Sequence, residues 1–172
     1  MSSFKKESKI KCDFRNDPVM LDNNDQVILE VKVCVKDQDK NVKLDWSVDE
    51  FLTATDQETG QDIDVNPNAN VVYTLCNNDQ QIGSTVTSGH SNRTVTSASD
   101  LITGNPVMFS PFESSFTQNN QPNFTFCDTP SLGMNCYQVK ARKLDPADGA
   151  TSTATVTDRT LNALFVDKLD KC

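Results

Sequence analysis

The sequence lacks any long apolar run. No stretch approaches the roughly 18 consecutive apolar residues of a membrane-spanning helix. The N-terminal stretch MSSFKKESKIKC also lacks the apolar run of roughly 7–15 residues that marks a secretory signal peptide. We therefore expect a protein with no membrane partner and no classical export signal.

Catalytic and metal-binding motifs are equally scarce. His90, in the polar loop TSGHSNR, is the only histidine on which a Ser-His-Asp or Cys-His site could be built. Zinc needs paired soft or imidazole ligands, and the chain has no C-x2-C. Carboxylate pairs such as Asp49/Glu50 carry little weight among 24 acidic residues. We expect no enzyme, no metal and no cofactor.

Two acidic loops have the D-x-D-x-N spacing that can present oxygen atoms to Ca²⁺. They are DQDKN at 37–41 and DIDVNPN at 62–68. Neither has the glycine and glutamate that an EF-hand loop requires at its sixth and twelfth positions. A loosely bound calcium and simple turn chemistry are both open for these loops.

The charge is unevenly distributed along the chain. The net charge is −8, but residues 1–15 have five basic against two acidic residues, so they carry +3 and the remainder carries −11. Such an acidic body argues against nucleic acid or an anionic membrane as partner. A basic segment on an acidic body suits head-to-tail association of identical subunits, although a solubilising tail has the same composition.

The dominant hydrophobic period is two, which predicts β-strands. In QVILEVKVCVK the residues Val27, Leu29, Val31, Val33 and Val35 share one face, and NVKLDWSV repeats the pattern. DEFLTATDQETG has room for one short helical turn. We predict an all-β, antiparallel jelly-roll β-sandwich of about 8–10 strands, with an N-terminal arm at 1–20 and a body at 21–172.

Six cysteines are more than a cytosolic domain of this composition normally carries unused. In NFTFC and NCYQVKARK, Cys127 and Cys136 fall on the polar faces of strands joined by a short loop. This predicts a stapled hairpin with an intrachain disulfide between them. Cys34 also faces outward, Cys12 lies in the arm and Cys172 ends the chain, all placed to reach a neighbouring subunit. Cys76 is ambiguous, because its strand is apolar on both faces.

The C-terminal third carries the phrases DTPSLGMNCYQVKAR and ATVTDRTLNALFV. They resemble the closing strands of small jelly-roll domains found in phage fibres and on bacterial spore surfaces. With the cysteine-bearing N-terminus, the chain resembles the self-assembling, pilin-like subunits of endospore appendages. The resemblance implies a disulfide-cross-linked fibre on the spore surface, made in the mother cell and exposed by lysis. The arm lacks the vicinal Cys-Cys pair of those subunits.

We therefore expect a structural protein that forms a homopolymeric extracellular fibre with itself as partner. The arm would add a strand to a neighbour's open sheet edge, and disulfides from Cys12 to Cys34 or Cys172 of neighbours would lock the contact. The alternative is a phage or virion fibre or decoration domain, or a carbohydrate-binding module that contacts surface glycans. The predicted arm contacts are Lys9, Ile10, Lys11, Phe14 and Arg15.

Overall fold

The computed structural model describes residues 10–60, 63–91, 93–95, 109–146 and 150–167, and every regular element in them is a β-strand. Two antiparallel sheets pack against each other, which confirms the predicted all-β sandwich. The strands are β1 Lys11–Arg15, β2 Val19–Met20, β3 Gln26–Val35, β4 Lys40–Gly60, β5 Ile63–Val65, β6 Asn68–Asn77, β7 Gln80–His90, β8 Arg93–Val95, β9 Phe109–Asn120, β10 Asn123–Asp128, β11 Gly133–Leu144 and β12 Thr151–Asp167.

The strand order is that of a jelly roll. Sheet A has the order β1-β12-β4-β10, with β2 beside β1 on the edge of β12 and β9 beside β10 on the edge of β4. Sheet B has the order β3-β11-β6-β7, and β5 and β8 form a separate short pair. Late strands thus lie between early ones, β12 between β1 and β4 in sheet A and β11 between β3 and β6 in sheet B, as in a jelly roll.

The long strand β4 shows how the alternating pattern builds the core. Its even-numbered side chains face sheet B and its odd-numbered ones face solvent, so the hydrophobic effect fixes which face is buried. The segment DEFLTATDQETG, which has room for one short helical turn, is strand throughout. The buried residues of β4 are Val42, Leu44, Trp46, Val48, Glu50, Leu52 and Ala54.

The first predicted strand is confirmed as β3, but its buried face changes near the start. The pairing with β11 shifts register between Val139 and Lys140, so one extra residue of β3 lies opposite that point. Ile28 is therefore buried and Val27 is exposed, whereas the period-two pattern placed Val27 inside. A β-bulge of this kind reverses the faces of every residue on one side of it.

The β6–β7 hairpin has the tight turn that CNND predicts. Asn78 and Asp79 both have positive φ, 48° and 66°, as the two central residues of a type I′ turn require. The turn also contacts the neighbouring strand: the Asn78 N–H donates to the Cys136 carbonyl at 2.9 Å. In return, the Cys136 N–H donates to Asn78 Oδ1 at 3.0 Å, which holds β7 and β11 in register through β6.

Two glycines of β7 give a matched test of how tightly the sheets pack. A Cβ on Gly89 would lie 2.7 Å from Phe116 Cε2 and 2.8 Å from Gln118 Oε1, whereas a Cβ on Gly83 would meet nothing closer than 3.6 Å. We expect Gly89→Ala to lower the free energy of unfolding by about 1–3 kcal/mol, because the packed side chains of Phe116 and Gln118 must move aside. Gly83→Ala should be neutral or slightly stabilising. Urea denaturation of both variants checks this, and equal midpoints would contradict it.

Candidate assembly surface

The N-terminal segment is built into sheet A as an edge strand. β1 pairs antiparallel with β12 from Lys11 opposite Ala163 to Arg15 opposite Arg159, and β2 continues along the same edge. The predicted arm is therefore paired with the body in the single chain. In the single chain the segment adds a strand to the open edge of its own sheet A, and its addition to a neighbour's edge stays a prediction.

Asp13 joins β1 to the opposite sheet. Its carboxylate accepts a hydrogen bond of 2.9 Å from the backbone N–H of Glu30 in β3 and forms an ion pair of 3.1 Å with Arg15. Because β3 is an edge strand of sheet B, its outward N–H groups are open to pairing with another chain. Asp13 satisfies one of them, so β1 covers part of the β3 edge.

A buried arginine fixes the connection between β1 and β2. Arg159 is 1% exposed and lies at a bulge in β12. Its Nη1 donates to the Asp17 carbonyl at 2.6 Å and to the Val156 carbonyl at 3.2 Å, and its Nη2 contacts the Asp17 carboxylate at 3.1 Å. A buried guanidinium is costly unless it is paired, so these contacts hold residue 17 on the body.

Apolar side chains are exposed along the same segment. Ile10 is 60% exposed, Phe14 62% and Met20 71%. These are three of the eight large apolar side chains that are exposed in the described part of the chain. Scattered exposed apolar residues are ordinary, but a concentration within eleven residues of one edge indicates a contact surface.

A groove of about 420 Å³ opens beside the start of β1. Three of its lining side chains are lysines, on a protein whose net charge is −8. Lys40 is paired with Asp167 at one end of it. Asp37 also lines the groove, so its rim keeps a small excess of positive charge, which suits an acidic protein surface. Its lining residues are Lys11, Val33, Cys34, Lys36, Asp37, Lys40 and Phe165.

Four cysteines are free thiols in the described residues, and they differ in exposure. Cys12, opposite Asn162 on the outer side of β1, and Cys34, on the outer side of β3, are exposed. Cys136 is half-buried and Cys76 is buried, which resolves the ambiguity of Cys76 in favour of a packed position. Cys172 and the predicted contact Lys9 lie outside the described residues.

The predicted Cys127–Cys136 staple is wrong. Cys127 is on β10 opposite Lys43 in sheet A, whereas Cys136 is on β11 opposite Lys32 in sheet B. Cys136 is a free thiol, and Cys127 is disulfide-bonded elsewhere. The loop between them crosses from one sheet to the other, so the two strands do not form a hairpin.

The other candidates from the sequence have structural explanations. For the alternative of a carbohydrate-binding module, Trp46, Tyr73 and Tyr137 are buried in the core and offer no sugar-stacking surface. His90 lies exposed at the end of β7. In the loop DQDKN, Asp37 Oδ1 accepts the N–H of Asp39 at 2.9 Å, which is turn chemistry. Within the described ranges, no group of three or more His, Cys, Asp or Glu side chains could hold a metal ion.

Comparison with known proteins adds no family. No protein-family model matches the chain, and no curated protein matches it significantly. The part of the chain that the structure describes contains no helix long and apolar enough to cross a membrane.

Sequence reasoning missed Asp13, Asp17 and Arg159 as contacts of the N-terminal segment. It also missed Glu50 as a buried polar residue, although Glu50 lies on the apolar face of β4, between Val48 and Leu52.

The four free thiols should differ in reactivity. Burial raises the pKa of the Cys76 and Cys136 thiols, so at neutral pH they hold less of the reactive thiolate. We expect iodoacetamide to label Cys12 and Cys34 first in the native protein, Cys136 more slowly with a rate that rises at higher pH, and Cys76 only on unfolding. Peptide mass spectrometry of a time course reads this order. Fast native labelling of Cys76 would contradict it.

Proposed function

We propose that the protein is a structural subunit of a homopolymeric extracellular fibre of the endospore-appendage type. Subunits join through the N-terminal strand and are locked by intersubunit disulfides. The observation that supports this most directly is β1. It is an edge strand with one pairing partner, and it carries the exposed Phe14 and the exposed free thiol of Cys12.

Exchange of β1 between copies provides the assembly step. A pairing that β1 makes with β12 of its own chain can be made identically with β12 of another copy. The donor strand and the acceptor edge are different surfaces, so exchange that passes from each copy to the next, without two copies swapping reciprocally, gives an open head-to-tail chain. Backbone hydrogen bonds give such strand addition its affinity.

Charge favours the same contact. The segment that would leave one copy is basic, since residues 1–15 carry a net charge of +3. The body that would receive it is acidic, since the remainder of the chain carries −11. Opposite potentials accelerate encounter and disfavour the wrong register. The lysine-rimmed groove beside β1 presents the reverse polarity to the acidic surface of a neighbour.

Disulfides between copies complete the proposal. Cys12 faces the outer side of sheet A and Cys34 the outer side of sheet B, so a bond between these two positions suits two subunits better than one. Both thiols are exposed and free in the single chain. Release of the subunits by cell lysis into an oxidising environment would supply the conditions that disulfides need. No catalytic role, cofactor or nucleic-acid partner belongs to this proposal.

Electrophoresis without reductant tests the cross-links. We expect a ladder, or material that does not enter the gel, which collapses to the 19.0 kDa monomer when reductant is added. Cys12→Ser should abolish most of the ladder, because the thiol on the exchanged strand is lost. The matched control is Cys76→Ser, whose buried thiol cannot reach a neighbour. A clean monomer for the unmodified protein without reductant would overturn the cross-linking proposal.

Negative-stain microscopy tests the role of the N-terminal strand. Phe14→Lys should leave the fold intact, because the side chain is 62% exposed, but should shorten or abolish fibres by placing a charge in the contact. Val86→Lys is the matched control, since Val86 is 59% exposed on β7, away from β1. Fibres of equal length from both variants would rule out this surface, and a discrete trimer insensitive to reductant would favour a decoration domain.

A further inference from the structure

A buried carboxylate links the two sheets at the side opposite β1. Glu50 is 2% exposed on the inner face of β4. Its Oε2 accepts hydrogen bonds of 2.6 Å from Tyr73 Oη and 2.6 Å from Thr87 Oγ1, and its Oε1 accepts one of 2.8 Å from Asn120 Nδ2. Among the described residues no lysine, arginine or histidine pairs with it.

The three donors are not equivalent in chemistry. Burial and the neighbouring Glu50 raise the pKa of Tyr73, so its hydroxyl stays protonated and holds the carboxylate in place. Thr87 offers a nucleophilic hydroxyl whose proton already points at a base. Asn120 offers a carboxamide whose nitrogen points at the same base. In an acyl transfer, a hydroxyl attacks the carbonyl carbon of an amide, and a neighbouring carboxylate can carry the proton from the hydroxyl to the leaving nitrogen. Thr87, Asn120 and Glu50 supply these three groups.

The carbonyl of Asn120 is polarised as such a transfer requires. Gln118 Nε2 donates a hydrogen bond of 2.7 Å to Asn120 Oδ1. A donor at that oxygen stabilises the negative charge that develops when a nucleophile adds to the carbonyl carbon. Asn120 therefore has a donor on its oxygen and a proton acceptor on its nitrogen.

The strands that carry the two groups approach closely. Asn120 is the cross-strand partner of Glu50 on β9, an edge strand of sheet A, and Thr87 is on β7, the facing edge strand of sheet B. Gly89, two residues beyond Thr87, has no Cβ, and a Cβ there would lie within 3 Å of the side chains of Phe116 and Gln118 on β9. The missing side chain lets β9 lie against β7, which brings Thr87 and Asn120 to the same carboxylate.

We propose that Thr87 and Asn120 form an intramolecular ester bond, with Glu50 as the general base and acid. Thr87 Oγ1 adds to Asn120 Cγ while Glu50 accepts the hydroxyl proton. Glu50 then delivers that proton to Nδ2, the Cγ–Nδ2 bond breaks and ammonia leaves. One Oγ1–Cγ bond replaces one Cγ–Nδ2 bond, so no oxidant, cofactor or second substrate is required.

The surroundings favour this reaction in the folded chain alone. Folding holds the reactants in fixed orientation, which converts a negligible bimolecular reaction into a unimolecular one. The carboxylate is nearly free of solvent, so its effect on the reacting groups is stronger than in water. Asn120 is only half-buried and lies on an edge strand, so ammonia can leave to solvent. The loss of ammonia by dilution drives the reaction toward the ester.

The bond would staple the two sheets at their free edges. It joins β7 of sheet B to β9 of sheet A, and it does not depend on the redox state of any cysteine. This inference is independent of the proposed fibre, since a monomeric protein would form the same bond.

Mass spectrometry of the reduced, denatured full chain tests the proposal. We expect an intact mass lower than the sequence mass by one ammonia. Arg93 is the only tryptic site between Lys43 and Lys140, so after alkylation trypsin should leave peptide 44–93 joined to peptide 94–140. Hydroxylamine, which cleaves esters, should separate them. The sequence mass, or an ammonia loss with two separate peptides as in a succinimide at Asn120, would overturn the proposal.

Variants assign the roles. Glu50→Gln and Thr87→Val should restore the sequence-derived mass and separate the peptides, because the first removes the base and the second the nucleophile. Thr87→Ser keeps a hydroxyl and should keep the link. Tyr73→Phe removes a donor to Glu50 that does not react, so its peptides should also stay joined. Linked peptides in Thr87→Val would contradict the assignment of the nucleophile, and the unmodified chain decides the proposal even if a variant fails to fold.

Discussion

β4 and β12 pair over nearly their whole lengths, from Lys40 opposite Asp167 at one end to Thr55 opposite Thr151 at the other. Every other part of sheet A is attached to one of these two strands. The free edge of β12 receives β1 and β2, and the free edge of β4 receives β9 and β10. The central pairing therefore separates two sites with different properties: the exposed N-terminal strand on one side and the buried Glu50 with its donors on the other.

The period-two pattern of apolar residues predicts much of the fold, because burial of one face is a local property of a strand. It predicted the strands, the shared inner face of Leu29, Val31 and Val33 and the outward position of Cys34. It could not predict which sheet a strand joins, because neighbours in the chain can lie in different sheets of a sandwich. The prediction of a Cys127–Cys136 hairpin was wrong for that reason. The predicted inward position of Val27 was wrong because a β-bulge reverses which residues face the core, and nothing in the sequence marks the bulge.

The polar residues that organise the sites were harder to identify. Glu50 lies between Val48 and Leu52 on the apolar face of its strand. An acidic residue at such a position indicates a buried polar contact. Its partners Thr87 and Asn120 come from distant strands, so no sequence spacing connects them. Asp13 and Arg159 likewise act through contacts between strands that are far apart in the chain. Strand topology has to be known before these residues can be associated.

The contact between Asp13 and the Glu30 N–H has a consequence for the timing of assembly. While β1 is docked on its own body, it occupies the β12 edge and covers part of the β3 edge, so the closed monomer is protected against pairing with other chains. Under the proposed exchange, growth requires β1 to detach first, which creates an activation barrier. Such a barrier gives polymerisation a lag phase, and a cell could accumulate soluble subunits at high concentration before the first fibre nucleates.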